Sequence, residues 1–547
     1  MQRKRILAAV MSLCMVAGVA SYGAPVISQT ITAQAEAATE AECYSFDEET
    51  GVLTLRGEID GDALREFNSI NREKVNSVVA EEGTILPEDS SELFYRYINC
   101  NSIDLSNADT SKVTNMSYMF TSCYDLTSLD LSKFDTSKVT RMVGMFNSCY
   151  NLTAIDVSGF DTSKVTDMSH LFDGCNNLTE IDVSGFDTSK VTYMIGMFNS
   201  CNNLTALDVS GFDTSNVTGM HCMFDGCKKL QSLDVSGFDT SNVTNMIFMF
   251  SDCSDLTSLD LSGFDTSNVT NMTGMFEFCK NLTELDVSGF DTSNVTDMKW
   301  MFSDCSGLTS LDLSSFDTSN VTDMGEMFEN CVNLISLDVS SFNTSKVTDM
   351  NCMFHSCKKL TSLDLSGFDT RKLIKLDIID PDIDDTYSDM DRMFYGCYNL
   401  RKITLGENFK CIKFEADLNE GAGWVNVDSP SVIVSGGAVN AVIENNGINT
   451  YVLYFKNAPV SIKTEYSEKY HQMRFTWNKV ENADRYGIAV YLAGKWRVQA
   501  QDITDTTYTT PKNLTPGKTY KVAVAARVDG KWYTSDAIKN AVTVTIK

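Results

Sequence analysis

Residues 145–168 read MFNSCYNLTAIDVSGFDTSKVTDM, and variants of this string recur along the chain. A cysteine anchors each copy, and ten such cysteines stand 26 residues apart, from Cys123 to Cys357. A methionine seven residues before each cysteine, a phenylalanine three before and a leucine three after keep the same register. Cys397 restores the register after an insertion of 14 residues. A period this constant predicts one structural unit that is repeated along the chain.

The leucines of each unit have the spacing of a leucine-rich-repeat strand. Leu126, Leu129 and Leu131 follow the pattern L-x-x-L-x-L, and alternation places the last two on one face of a strand. A single strand cannot bury that face, whereas stacked coils bury it against each other. Residues 139–146 are expected to form a short second strand and a turn. The repeat therefore predicts a parallel β-solenoid of about eleven coils over residues 97–409.

The segments outside the repeat predict four further units. Residues 1–35 combine basic residues, a short apolar run and an Ala-Gln-Ala site, which is typical of a signal peptide. Residues 36–96 and 410–458 are expected to cap the apolar ends of the stack. Residues 459–547 contain no cysteine and three of the five tryptophans, and their alternating pattern predicts an all-β domain.

The repeat string M-F-x-x-C-x-x-L-x-x-L-D-L/V-S-x-F-D-T-S-x-V-T-x-M resembles the 26-residue repeat of BspA-type leucine-rich-repeat surface proteins. This resemblance implies a secreted or cell-surface bacterial protein whose relatives are linked with adhesion. It implies no catalytic residue and no cofactor. The C-terminal domain resembles a fibronectin type III sandwich, with Trp477 as its core tryptophan and Tyr520 as its tyrosine corner. That resemblance implies a spacer or a binding module.

The charge of the chain excludes several classes of function. With 44 Lys and Arg against 73 Asp and Glu, the net charge is −29, whereas a nucleic-acid binder needs a basic surface. After the signal peptide no apolar run reaches 18 residues, so we expect no transmembrane segment in the mature chain. Only four histidines are present, which disfavours a His-based metal or acid–base site.

The cysteine column is expected to be a buried and reduced core ladder, because cysteine packs as a small apolar residue. Neighbouring coils would also bring the sulfurs within disulfide range, and export permits oxidation, so disulfides remain an alternative. Metal binding is disfavoured, because the column has no C-x-x-C spacing. In the insertion, Asp380, Asp382 and Asp384 have calcium-loop spacing, but Asp385 stands where such a loop needs glycine. We interpret this segment as an acidic surface loop.

Two aspartate columns run through the repeat. The first is a candidate acidic face, and like charges at one strand spacing repel each other. Its carboxylates are therefore either hydrogen-bonded by neighbours such as Thr127 and Ser132, or they bind cations or a basic partner weakly. The second column, which includes Asp135, precedes Thr-Ser and is typical of Asx turns. The candidate acidic face consists of Asp130, Asp156, Asp182, Asp208, Asp234, Asp260, Asp286, Asp312, Asp338 and Asp364.

The positions eight, six and five residues before each cysteine change residue type from coil to coil. Burial makes no demand on them, and aromatic residues at such positions are typical of contact anchors. If this segment is a strand, Phe248 and Trp300 are exposed and roughly 10 Å apart. The candidate partner-binding residues are Tyr118, Tyr193, His221, Phe248 and Trp300.

These patterns favour a secreted or surface adhesin that uses the solenoid to bind an extracellular protein or glycan of a host or of neighbouring bacteria. A structural or cation-stabilised surface protein is the alternative. A glycan hydrolase is disfavoured, because it needs two carboxylates with distinct roles, whereas these carboxylates are serial and equivalent. We therefore expect a protein that is not an enzyme and that needs no cofactor.

Overall fold

The computed structural model describes residues 43–373, 390–435, 439–512 and 514–546. The predicted signal peptide and the acidic insertion around Asp380 lie outside the described residues. The described chain is rich in β-structure and turns, with two α-helices and one short 3₁₀ helix. Within those ranges we find no helix that is both long and apolar enough to cross a bilayer.

The N-terminal end is a mixed sheet with one helix beside it. In this sheet β2 pairs antiparallel with β1 and parallel with β3, and β3 pairs parallel with β5. The helix begins after Asp60, whose carboxylate accepts the amides of Asp62 and Ala63 at 3.0 and 3.1 Å and satisfies two free donors of the first turn. The elements are β1 (Tyr44–Asp47), β2 (Val52–Leu55), α1 (Gly61–Asn71), β3 (Ser77–Ala80), β4 (Thr84–Ile85), β5 (Ser102–Asp104) and β6 (Ala108–Asp109).

The repeating stack begins earlier than residue 97, inside the segment predicted to be a separate cap. The Phe94 ring stacks on the Phe120 ring at 5.5 Å between centroids, and the Phe94 amide donates to the Met119 carbonyl at 3.0 Å. Tyr97, 26 residues before Cys123, is fully buried in the place of a cysteine. The prediction missed this coil because it was anchored on cysteine, and an aromatic side chain fills the same space here.

In most coils, single bridges replace the two predicted strands. Parallel bridges join Asn115 to Arg141, Arg141 to Asp167, and Asp167 to Tyr193. The Leu129–Leu131 segment points its leucines inward, at 6% and 3% exposure, but this part of the coil is a regular strand only toward the two ends of the stack. Those strands are β5, β7 (Ser362–Leu365) and β8 (Lys402–Leu405).

The second half of each coil is a turn rather than the predicted second strand. Tyr118 and Ser122 both adopt positive φ, at 58° and 61°, and left-handed residues interrupt the alternation of a strand. The amides of Tyr118, Phe120 and Ser122 nevertheless donate to carbonyls of the next coil at 2.7, 2.9 and 2.7 Å. The turn therefore keeps the hydrogen bonding between coils while it loses the period of two.

The core is built from columns of identical residues. Phe328 and Phe354 show the usual geometry of the phenylalanine column, with centroids 5.8 Å apart and planes 2° from parallel. The cysteine column lies beside it, fully or almost fully buried, and the Cys149 thiol donates to the Phe120 carbonyl of the preceding coil at 3.2 Å. All cysteines in the described ranges are free.

The C-terminal end of the stack is closed by antiparallel strands. β8 pairs parallel with β7, and β12 pairs antiparallel with β8 and β10. A short pair, β9 with β11, lies beside a 3₁₀ helix at Phe414–Ala416. The elements are β9 (Cys411–Ile412), β10 (Trp424–Asn426), β11 (Ile443–Glu444) and β12 (Asn449–Leu453).

The last domain consists of two antiparallel sheets, ordered β13-β14-β17 and β16-β15-β18-β19, with β20 paired to β18. Trp477 is buried in their shared core, as predicted for it, and the Tyr486 ring contacts it edge-on at 5.5 Å. The elements are β13 (Ile462–Ser467), β14 (Gln472–Trp477), β15 (Ala483–Leu492), β16 (Lys495–Ile503), β17 (Thr507–Thr509), β18 (Thr519–Val528), β19 (Lys531–Trp532), α2 (Thr534–Lys539) and β20 (Val542–Thr545).

The tyrosine whose hydroxyl binds the backbone of this domain is Tyr486, not the predicted Tyr520. The Tyr486 hydroxyl accepts the Val480 amide at 2.9 Å. Tyr520 packs, half-buried, against the edge of the same core. Both positions show the aromatic pattern of a strand, and only the packing decides which hydroxyl reaches a backbone amide.

The burial of the cysteine column predicts low thiol reactivity. Burial raises the pKa of the Cys149 thiol to about 12 and that of Cys352 to about 12, and the thiolate is the reactive form. In native protein we expect a thiol-specific chromophore to label at most the half-buried Cys222, Cys352 and Cys411, and to label the column only after denaturation. A native protein with most of its column oxidised to disulfides would contradict this expectation.

Candidate binding face

The variable positions of the repeat lie together on the turn side of the stack. We call the residues eight, six and five positions before each repeat cysteine the turn face. The bridge ladder places the first of these positions side by side, as at Asn115, Arg141 and Asp167. Neighbouring positions on the ladder are therefore separated by one coil, about 4.8 Å. A partner that extends along the stack meets a different side chain at each step.

The position five residues before the cysteine is left-handed in every described coil. Its φ lies between 52° and 59° throughout, a region that favours glycine and costs other residues about 1–2 kcal/mol each. Glycine occupies it at Gly144, Gly196 and Gly274. Larger residues occupy the others, which are Glu92, Tyr118, His170, Cys222, Phe248, Trp300, Glu326, Cys352 and Arg392.

Where this column holds an aromatic ring followed by a glycine, the ring leans over that glycine. A Cβ on Gly274 would lie 2.2 Å from the Phe248 ring, and a Cβ on Gly144 would lie 2.7 Å from the Tyr118 ring. The glycine therefore supplies both the left-handed backbone and the space into which the preceding ring extends.

Phe248 and Trp300 come closer together than a strand would allow. Their coils are two steps apart, yet the ring centroids lie 6.4 Å apart with planes at 22°, because Gly274 between them carries no side chain. Both residues are half-buried rather than exposed, so the expectation of two exposed rings roughly 10 Å apart is wrong. The Lys299 ammonium lies 4.7 Å from the Trp300 ring centre.

The other three candidate residues lie apart from this pair. Tyr118 and Tyr193 are 38% and 45% exposed, and both line one shallow groove with Arg141 and Asp167. His221 is half-buried, and its Nδ1 has no hydrogen-bond partner among the described residues. Burial lowers the pKa of His221, and the neighbouring His170 lowers it further.

The acidic columns are held by their own serines. The Asp156 carboxylate accepts the Ser158 amide at 3.0 Å and the Ser158 hydroxyl at 2.6 Å, and these bonds lower the pKa of this fully exposed aspartate. Asp135, in the second column, accepts the Ser137 amide at 3.0 Å in the same way. Within the described ranges, no three His, Cys, Asp or Glu side chains are arranged to hold a metal ion.

Sequence reasoning missed a set of buried carboxyl groups beside the turn face. Burial raises the pKa of Asp225 to about 7 and that of Asp323 to about 6. Burial also raises the pKa of Glu326, and its carboxyl is hydrogen-bonded by the Trp300 side chain. The signal that could have indicated them is a charged residue in a column otherwise filled by Ser, Thr, Asn or Gly, but their depth depends on neighbouring coils.

Comparison with known proteins identifies the repeat and leaves its activity open. The family model described as "Mycoplasma protein of unknown function, DUF285" matches the chain at residues 88–206, 168–284, 196–310, 274–379 and 307–412, which together span more than half of its 547 residues. None of the curated proteins matches the chain. Among solved structures, an Fn3-like protein from Clostridium thermocellum is 23% identical, with coverage of 14% of this chain and 79% of that chain and a TM-score of 0.13.

Replacing Gly274 with alanine tests the packing of ring over glycine. We expect Gly274→Ala to lower the free energy of unfolding by about 2 kcal/mol or more, because the new Cβ meets the Phe248 ring at a left-handed backbone. Gly289→Ala is the matched control, since its Cβ would meet nothing within 4 Å, and it should change stability by less than about 0.5 kcal/mol. Equal effects of the two substitutions in urea unfolding would refute the assignment.

The buried carboxyl groups predict that the protein is more stable in mild acid than at neutral pH. Because the pKa values of Asp225 and Asp323 are raised, the folded chain binds protons that the unfolded chain has released, so stability decreases between about pH 4 and pH 7. Calorimetry should give a higher Tm at about pH 5.5 than at about pH 7.5. The double variant Asp225→Asn, Asp323→Asn should lose most of this difference.

Asp156→Asn is the control for that experiment. Its pKa is lowered by Ser158, so the stability that it contributes is present above the unfolded pKa and is lost only below about pH 4. This variant should keep the pH dependence of the wild type between about pH 5.5 and 7.5. A double variant whose Tm still rises as much as that of the wild type would show that other groups carry the effect.

Proposed function

We propose that this chain, which belongs to the family described as "Mycoplasma protein of unknown function, DUF285", is an extracellular bacterial binding protein that presents its turn face to a partner. Its repeats form a solenoid of the leucine-rich-repeat type found in BspA-like surface proteins. The C-terminal sheets form a fibronectin type III-like module. Residues 1–35 direct the chain out of the cytoplasm, and the partner is a protein or glycan on a host or a neighbouring bacterium.

The observation that carries this proposal is the left-handed column of the turn face. A position with φ near 57° is occupied at least cost by glycine, and Gly144, Gly196 and Gly274 show that the fold accepts it. Tyr118 and Trp300 nevertheless stand in the same backbone conformation. Neither ring is part of the buried core columns, so stability does not account for them. Backbone strain that stability does not explain is typical of functional sites.

The regular stack also suits a binding role. Each coil repeats the same backbone, so the turn face is rigid before any partner arrives, and little conformational entropy is lost on binding. The exposed aromatic residues are of the type that supplies most interface energy. The carboxylates of the acidic columns are equivalent along the stack, which suits neither of the two distinct roles that a hydrolase requires. The function we propose is therefore recognition rather than catalysis.

Removal of three aromatic side chains from the turn face tests this function. We expect the triple variant of Tyr118, Tyr193 and Trp300, each changed to Ser, to lose at least about tenfold in affinity for immobilised host-matrix and bacterial-surface fractions. The matched control changes Tyr398 and Tyr491 to Ser, which are exposed to a similar degree but lie outside the turn face. Surface plasmon resonance with the full chain measures both.

The readings of this experiment are distinct. Loss of binding in the triple variant with a fully folded control supports recognition by the turn face. Equal binding by the wild type and the triple variant places the partner on another surface. If the full chain binds none of the fractions, the proposed function is wrong. Circular dichroism on each variant separates lost contact from lost fold.

A further inference from the structure

A shallow groove crosses the N-terminal part of the turn face and combines two tyrosines with an arginine and an aspartate. It has a volume of 510 Å³ and extends over successive coils from Ser91 to Tyr193, a size typical of ligand sites. Tyr118 and Tyr193 are its exposed aromatic residues, and Arg141 and Asp167 lie along it. We call it the tyrosine groove.

The backbone gives the tyrosine groove a regular geometry. Parallel bridges place Arg141 next to Asp167 and Asp167 next to Tyr193, one coil apart each time, or about 4.8 Å. The Tyr118 ring leans over Gly144, and Gly219 leaves room beside the Tyr193 ring. Both aromatic walls are therefore positioned by a glycine in the following coil, which also keeps the groove open.

Arg141 is unusual in a chain whose net charge is −29. Its side chain is exposed, and among the described residues it forms no ion pair and no hydrogen bond. Asp167 accepts the Ser169 amide at 3.0 Å through one carboxylate oxygen, and its second oxygen has no hydrogen bond to a described residue. The groove thus holds a donor fork and an acceptor side by side, both available to a ligand.

The groove does not suit a peptide that binds by strand addition. Such a peptide needs free backbone groups at an edge, whereas the amides of Met116, Tyr118 and Phe120 already donate to the next coil at 3.0, 2.7 and 2.9 Å. Val143 is the one aliphatic residue that lines the groove, so there is no deep apolar pocket for an anchoring side chain. The lining fits a ligand with flat faces and many hydroxyl groups.

We propose that the tyrosine groove binds a neutral oligosaccharide of pyranose units. The tyrosine rings pack on the C–H faces of the sugar rings, the Arg141 guanidinium donates to sugar oxygens, and the Asp167 carboxylate accepts from a hydroxyl. The spacing of the coils is comparable to the length of one sugar unit, so a linear glycan along the stack meets the bridge ladder once per unit. Glu92 and the net charge of the chain disfavour an anionic polymer. This inference rests on the proposed function and specifies its partner.

The test uses the full chain on a printed array of neutral hexose and N-acetylhexosamine oligomers, with uronate- and sialate-containing oligomers beside them. We expect binding to one class of neutral oligomers, followed by calorimetric titration with the best trisaccharide. Tyr118→Ser, Tyr193→Ser and Arg141→Gln should each reduce affinity at least about tenfold with a Tm close to that of the wild type. Tyr398→Ser, an exposed tyrosine outside the groove, should bind as the wild type does.

Each other outcome overturns the inference in a distinct way. Binding only to the acidic oligomers would show that Arg141 selects an anion. Binding to neutral oligomers that the three groove variants leave unchanged would place the site elsewhere. If no oligomer binds while surface-protein fractions still do, the inference fails and the proposed function stands. If neither oligomers nor fractions bind, both fail.

Discussion

Hydrogen bonds between neighbouring coils, repeated at one fixed register, are the constraint on which the rest of the structure depends. Because the amide of one turn residue donates to a carbonyl near the equivalent residue of the next coil, as from Phe120 to Met145 at 2.9 Å, equivalent side chains are brought into columns. The phenylalanine rings stack for this reason, and the cysteine thiols find a backbone carbonyl of the preceding coil. A repeat of any other length would break every column at once, which explains why the period survives so many copies.

The same constraint explains how so acidic a surface remains stable. Columns of aspartate at one coil spacing should repel each other, yet each carboxylate is held locally, as Asp156 is by the amide and hydroxyl of Ser158. Hydrogen bonds to the charged form lower its pKa and offset the repulsion without a counter-charge. Asp225 and Asp323 lie beside the turn face with less solvent around them, and burial there acts in the opposite direction.

The turn face is the part of the coil that the core leaves free to vary. Its backbone is fixed by hydrogen bonds between coils, so the side chains can change without loss of register. The left-handed position couples one coil to the next, because a large residue such as Phe248 requires a small one at Gly274. Variation on this face is therefore not independent from coil to coil, and aromatic rings in alternate coils can meet, as Phe248 and Trp300 do.

The sequence alone determined what depends on period and residue type. The spacing of the cysteines, the inward leucines, the serines that follow each aspartate and the buried Trp477 were all predictable, because each follows from a local pattern repeated in register. Only the tertiary structure decided what depends on backbone conformation and depth. A left-handed residue at Tyr118 has no fixed residue signature, since glycine and tryptophan share its φ. The contact between Phe248 and Trp300, the groove around Arg141 and the raised pKa of Asp225 all depend on which side chains the neighbouring coils supply, and a single repeat does not contain that information.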